Sequence, residues 1–191
     1  MDKRTFLVAG ASVAALSVLS AGCTTTGGAA GDPDARRRAI NADVDNALAR
    51  LYREAGGSQE LVARSAGVLV FPSVISGGFI IGGSHGQGAL RKGGQTAGFY
   101  STSAVSAGLL AGGQSRALYI LFMTPDALRR FEQSSGWTAG VDASVTLVNV
   151  GASGRVDTQT AQQPVIGFVL SNVGFMADLS LNGTRISRLD L

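Results

Sequence analysis

The chain has 191 residues, 45% of them hydrophobic and 15% charged, with a formal net charge of +3. That suits one globular domain with a real core, and so small a charge, with no basic stripe interleaved with aromatics, gives no footprint for nucleic acid. A single Cys, Cys23, and a single His, His85, exclude an internal disulfide, a Cys/His zinc set and a Cys–His catalytic pair.

Residues 1–22 read as an export signal. Lys3-Arg4 is a short positive region, and Thr5 to Ser20 is apolar but rich in Ala, Gly and Ser. The run is too short and too weakly apolar for a stable transmembrane helix. Lys3 and Arg4 against Asp2 carry +1 of the +3, which leaves the remainder near +2. Residues 23–34 read as a tether whose TTTGGAAGDPD has nothing to bury.

The spacing predicts an amphipathic helix over Ala35–Ala55, with Ile40, Val44, Ala47, Leu48, Leu51 and Tyr52 in one stripe. Asp32 or Asp34 caps its start and Gly56-Gly57 ends it. Arg36-Arg37-Arg38 stands in the first turn, where the helix dipole prefers anions. A solvated turn is the plain reading, and contact with anionic lipid head groups is the functional one. A short second helix follows over Gln59–Ser65.

From Val68 the period changes to two. Val68–Phe71 is a strand that Pro72 ends or places at a sheet edge. Phe79–Ile81 and Gln87–Leu90 are strands around a Gly82–Gly86 turn. Arg91-Lys92-Gly93-Gly94 is a basic hairpin turn, and Gln95–Ser101, Ala104–Ala111 and Ala117–Met123 continue as strands. Thr124-Pro125-Asp126 starts an inserted helix running to about Ser134, with Arg129-Arg130 outward. Val141–Val150 alternates as a strand, Gly151–Gly154 turns, and strands over Arg155–Thr160, Val165–Ser171, Phe175–Leu181 and Thr184–Leu189 close the chain. The 27 glycines, about twice the usual share, follow no G-X-Y period. They sit among β-branched and aromatic residues, as glycines at bulges and tight hairpins do.

Catalytic chemistry finds no support. Gly86-Gln87-Gly88 lacks the third glycine of a dinucleotide loop, because Arg91 stands there, and a strand follows where a helix should. Gly88–Gly94 has P-loop spacing but Gly94 in the lysine position. Ser84 and His85 point to opposite faces if extended, and His85 reads as a turn residue in solvent. Asp142, Asp157 and Asp178 have no calcium-loop spacing and read as solvent-facing acids. No metal or cofactor is expected, and a hydrolase would need an acid/base cleft absent from the pattern.

Cys23 directly after Ala21-Gly22 resembles a bacterial lipobox, with Ser20 where Leu is usual. The resemblance implies acylation of Cys23 and cleavage before it, with a plain signal peptide as the alternative. Thr24, in place of Asp, favours the outer membrane. Lys3-Arg4-Thr5-Phe6-Leu7 also looks like a weak twin-arginine signal beside the ordinary secretory reading.

Gly67-Val-Leu-Val-Phe-Pro72, Gly78-Phe79, Gly86-x-Gly88-x-Leu90, Phe99-Tyr100-Ser101, Gly112-Gly113-Gln114-Ser115 and Phe122-Met123-Thr124 form an ordered series. Trp137, Gly140–Ser144 and Gly183-Thr184-Arg185-Ile186 complete it. From about Ala35 to the end it resembles the SYLF domain, found in eukaryotic proteins that bind phosphoinositides and actin at membranes and in bacterial secreted proteins and lipoproteins. The resemblance implies lipid binding without enzymatic activity; actin binding does not transfer to an exported protein.

The expected fold is α+β: a curled, mainly antiparallel, barrel-like sheet of about eight to ten strands, closed or nearly closed, with an N-terminal amphipathic helix and one inserted helix. The expected function is phospholipid binding by a lipoprotein of the cell envelope, acylated at Cys23 and facing the periplasm from the outer membrane. Head-group candidates are Arg36, Arg37, Arg38, Arg91, Lys92, Arg129 and Arg130. The alternative is a structural envelope protein with a protein partner, in which lipid serves only as anchor.

Overall fold

The computed structural model describes residues 32–78, 81–107, 114–148, 162–171, 174–175 and 181–191. Cys23, the tether up to Gly31, the Gly112-Gly113 and Gly151–Gly154 turns, the Arg155–Thr160 strand, Asp157 and Asp178 lie outside them.

Helix α1 spans Pro33–Glu54; the Asp32 carboxylate accepts from the Asp34 amide at 2.9 Å, and Pro33 occupies the first turn. Helix α2 spans Ser58–Arg64, and helix α3, Pro125–Gln133, begins at Thr124, whose hydroxyl accepts from the Ala127 amide. The strands are β1 Gly67–Gly78, β2 Ile81–Lys92, β3 Gln95–Ala107, β4 Gln114–Phe122, β5 Trp137–Thr138, β6 Thr146–Leu147, β7 Val165–Ser171, β8 Gly174–Phe175 and β9 Arg185–Leu189.

The described strands form one curled half-barrel sheet in the order β5-β9-β3-β2-β1-β4-β7-β6, with β8 paired to β7. The fold is α+β and mostly antiparallel, β6 against β7 being parallel. The expected curled, barrel-like sheet is observed as a half-barrel, its strand path open among the described residues with β5 and β6 at its two ends.

Pro72 corrects one expectation. It lies inside β1, which pairs with β2 on one side and β4 on the other. Val70 pairs with Ala89 and Ser73 with Gln87, so Phe71 and Pro72 together oppose Gly88. A bulge is where a residue without an N–H fits an interior strand. Gly88 is the matching piece, because a Cβ there would overlap the Val70 carbonyl oxygen. The Gly86-x-Gly88 spacing therefore accommodates a bulge.

Gly82–Gly86 is likewise no turn. It is continuous strand, because β1 and β3 supply backbone partners on both sides; His85 faces Ile75 and Ser103. The true turn is Gly93-Gly94, with φ of +56° and +82°, values that favour glycine in a two-residue hairpin.

The expected strand over Val141–Val150 shrinks to Thr146–Leu147. The amides of Val141 and Asp142 donate to the Thr138 carbonyl, and the Asp142 carboxylate accepts from the Thr138 amide. That local turn satisfies groups a ladder would have used, and leaves Val141 79% exposed.

Both faces of the sheet are covered. On one, Ile40, Val44, Ala47 and Leu51 of α1 and Leu61 of α2 pack on Val68, Val70, Tyr119, Leu121, Ile166 and Phe168. On the other, Leu128 and Phe131 of α3 and Trp137 pack on Leu69, Phe71, Leu118, Ile120, Phe122 and Ile186. Alternate residues of β1 and β4 go to opposite cores, the period-two rule of a strand buried on both sides.

Candidate functional site

The α1 stripe holds more apolar residues than the sheet covers. Ile40, Val44, Ala47 and Leu51 are buried, whereas Leu48 and Tyr52, one turn apart, are only part-buried. They form one wall of a groove of ≈ 420 Å³, completed by Val62 and Ala63 of α2, Val68 at the start of β1, and the β2–β3 hairpin with Arg91. Burial raises the Tyr52 hydroxyl above its ordinary pKa, so the phenol stays neutral. A second hollow, of ≈ 340 Å³, flanks α1 on its other side against Asp43, Asn46, Arg50 and Ser73.

Arg91 sits at the centre of the site. Its side chain is 11% exposed. One Nη2 bond goes to the Asp45 carboxylate at 2.6 Å, another to the Asn41 carbonyl at 3.3 Å, and Nη1 donates to the Thr96 hydroxyl. Thr96 in turn donates to Asn41 Oδ1 at 2.7 Å. This cluster pins the hairpin to α1. Among the described residues, Arg91 Nε is the one buried side-chain nitrogen or oxygen without a hydrogen-bond partner. Native interiors rarely leave such a donor unmet unless a site there takes a ligand or water.

Lys92, one residue on, points to the other face and pairs with Glu132 of α3 at 3.0 Å. The remaining expected cations do not gather at the groove. Arg36 donates to Gln87 at 3.3 Å, Arg37 pairs with Asp34 at 2.8 Å and Arg38 with Asp32 at 3.7 Å, all at the start of α1. Arg129 pairs with Asp126, and Arg130 is exposed on α3. Of the seven, Arg91 alone lines the groove. Asp32 and Asp34 offset much of the first-turn charge of α1.

Asn41 and Asp45 carried no signal in sequence, since each meets Arg91 from far along the chain, whereas Thr96 faces it directly across the hairpin. The Leu48/Tyr52 pair did carry one: the stripe is wider than a helix needs to seal on a sheet. Among the described residues no group of three or more His, Cys, Asp or Glu could hold a metal, and no helix is long and apolar enough to cross a membrane.

Residues 103–190 match the model of the family described as "Ysc84: Las17-binding protein actin regulator". That stretch is consistent with a SYLF domain. No curated protein matches the chain. The SYLF match takes in the end of β3, β4, α3, β7 and β9, and so the Phe131/Trp137 core. The groove residues named above, 48 to 91, lie ahead of it.

Proposed function

We propose that this protein is a lipoprotein of the bacterial cell envelope whose SYLF-family domain binds phospholipid without catalysing a reaction. The groove carries the reading: it combines part-exposed Leu48, Tyr52 and Val62 with a largely buried arginine, the apolar walls and few polar groups of a ligand site. The Cys23 lipobox supplies the anchor, since two or three acyl chains hold a protein to a membrane where one is marginal, at ~0.8 kcal/mol per buried CH₂. The N-terminal Arg36–Arg38 turn and Arg130 are the cations placed to meet anionic head groups.

The unacylated domain, residues 32–191, is expected to float with liposomes containing anionic phospholipid. Absence of binding to both anionic and neutral vesicles would sink the reading. Retention of acyl groups by wild type and their loss in Cys23→Ser, read by mass spectrometry, checks the anchor.

A second reading has one observation behind it. Ile75, 63% exposed, and Val105, 84% exposed, stand on the α1 face of the sheet beyond the helix. Apolar side chains left in solvent suit a protein partner, and the family description names one, Las17. Crosslinking in intact cells through position 105 distinguishes a protein partner from lipid.

A further inference from the structure

Resting on the phospholipid reading, we propose that the groove between α1, α2 and the β2–β3 hairpin holds one acyl chain of a phospholipid, with Arg91 Nε donating to the ester carbonyl at the head of that chain. Three observations carry this. The walls, Leu48, Tyr52 and Val62, stay part-exposed beside buried Val44, Leu51 and Val68, so an alkyl chain would extend that core. Ala49 and Ala63 keep the rim low. The volume, ≈ 420 Å³, lies toward the small end of ligand pockets, roughly 300–1,000 Å³, and suits one chain of a diacyl lipid.

The third observation is the guanidinium. Both of its terminal nitrogens are engaged by Asp45, Asn41 and Thr96, and Nε is not. Asp45 already offsets the arginine charge at 2.6 Å. The site therefore lacks one acceptor oxygen, and not one negative charge. An ester carbonyl supplies the first without the second; a free carboxylate or phosphate at this depth would meet Asp45.

The test uses the unacylated chain from Thr24 onward, which retains every described residue of both cores. It is titrated calorimetrically with monomeric 1-acyl lysophosphatidylglycerol, with the fatty acid of the same chain length, and with the deacylated head group, glycerophosphoglycerol. The lysolipid is expected to bind one to one, the fatty acid at least tenfold more weakly, and the head group not at all. Ala49→Trp and Ala63→Trp, on separate helices, should each weaken the lysolipid at least tenfold, and Arg91→Lys should bring it toward the fatty acid.

Unchanged binding in both tryptophan variants, or competition by the head group, would overturn the groove. A fatty acid that binds as well as the lysolipid would overturn the ester contact. Independently of any substitution, a doxyl-labelled lysolipid should broaden the methyl resonances of Leu48 and Val62 and leave those of Leu128 sharp; the reverse pattern overturns the site. Vesicle flotation of the tryptophan variants separates the two claims. Flotation that persists while lysolipid binding is lost, with wild-type binding intact, keeps both. Flotation without any wild-type groove binding leaves surface contact alone standing.

Discussion

The two faces of one sheet are closed in different ways. Opposite α1, four aromatics interlock: Phe131 stands 5.0 Å from Tyr100, 4.8 Å from Phe122 and 5.8 Å from Trp137, with Phe122 6.3 Å from Trp137. Such pairs add about 0.5–1.5 kcal/mol each beyond their burial. On the α1 face, aliphatic side chains cover the centre and leave the groove at one end. That helix is held partly by polar ties, Tyr119 to the Ala47 carbonyl at 2.9 Å and Arg50 to the Ser171 carbonyl at 2.9 Å, beside the Arg91 cluster. A face sealed by rings serves stability, whereas one fastened by hydrogen bonds can keep a hollow without collapsing.

The sharpest way to break the comparison is at the bulge that both faces share. Gly88→Ala sets a methyl group against the Val70 carbonyl and Phe71 ring. It is expected to cost more than about 4 kcal/mol, read as loss of the cooperative melt by circular dichroism. A variant that melts like wild type would show that β1 can shift its bulge. Phe131→Ala comes next: about 3–5 kcal/mol in denaturant unfolding, with lysolipid affinity retained wherever the variant is folded. Loss of that affinity in step with stability would merge the two faces into one functional unit.

The polar ties give a pH prediction. Burial pushes the Tyr119 phenol up to about 12, with Arg50 opposing and Glu54 reinforcing the shift. Its folded pKa exceeds the unfolded value of 10.0, so the folded chain holds this proton more tightly. The associated stability is complete below pH 10 and is lost as pH rises from 10 toward 12, by roughly 2–3 kcal/mol. Tyr119→Phe should flatten the alkaline limb of the stability curve; an identical slope in the variant would assign it elsewhere. The smallest effects belong to the hairpin. Arg91→Ala loses hydrogen bonds to a charged group and should cost about 1.5–3 kcal/mol. Lys92→Ala loses an exposed ion pair and should cost less than about 1 kcal/mol. Equal costs in chemical denaturation would erase the distinction between adjacent residues on opposite faces.

Much of the architecture was legible. The α1 stripe, the Thr124-Pro125 start of α3, the Gly93-Gly94 turn and the apolar run of β4 are short-range patterns, and each lies where expected. The misreadings cluster where distant chain supplies the partner. Pro72 looked like a terminus because its missing N–H is tolerable only opposite Gly88. Gly82–Gly86 looked like a turn because the strands that hold it straight are not its neighbours in sequence. Val141–Val150 looked like a strand because alternation says nothing of Asp142 reaching back to Thr138.

The site followed the same rule. Arg91 was legible as a hairpin cation but not as a buried one. Its partners Asp45 and Asn41 stand 46 and 50 residues away, and the choice between solvent and Asp45 is made by where α1 crosses the hairpin. By itself, then, the sequence determined the helices, their caps, the hairpin turn and the absence of a Cys/His metal set, since these depend on residue types and neighbours a few positions apart. Tertiary structure alone decided that the seven cations disperse, that Arg91 is committed to α1, and that Leu48 and Tyr52 wall a groove, because burial and pairing are properties of the packed chain.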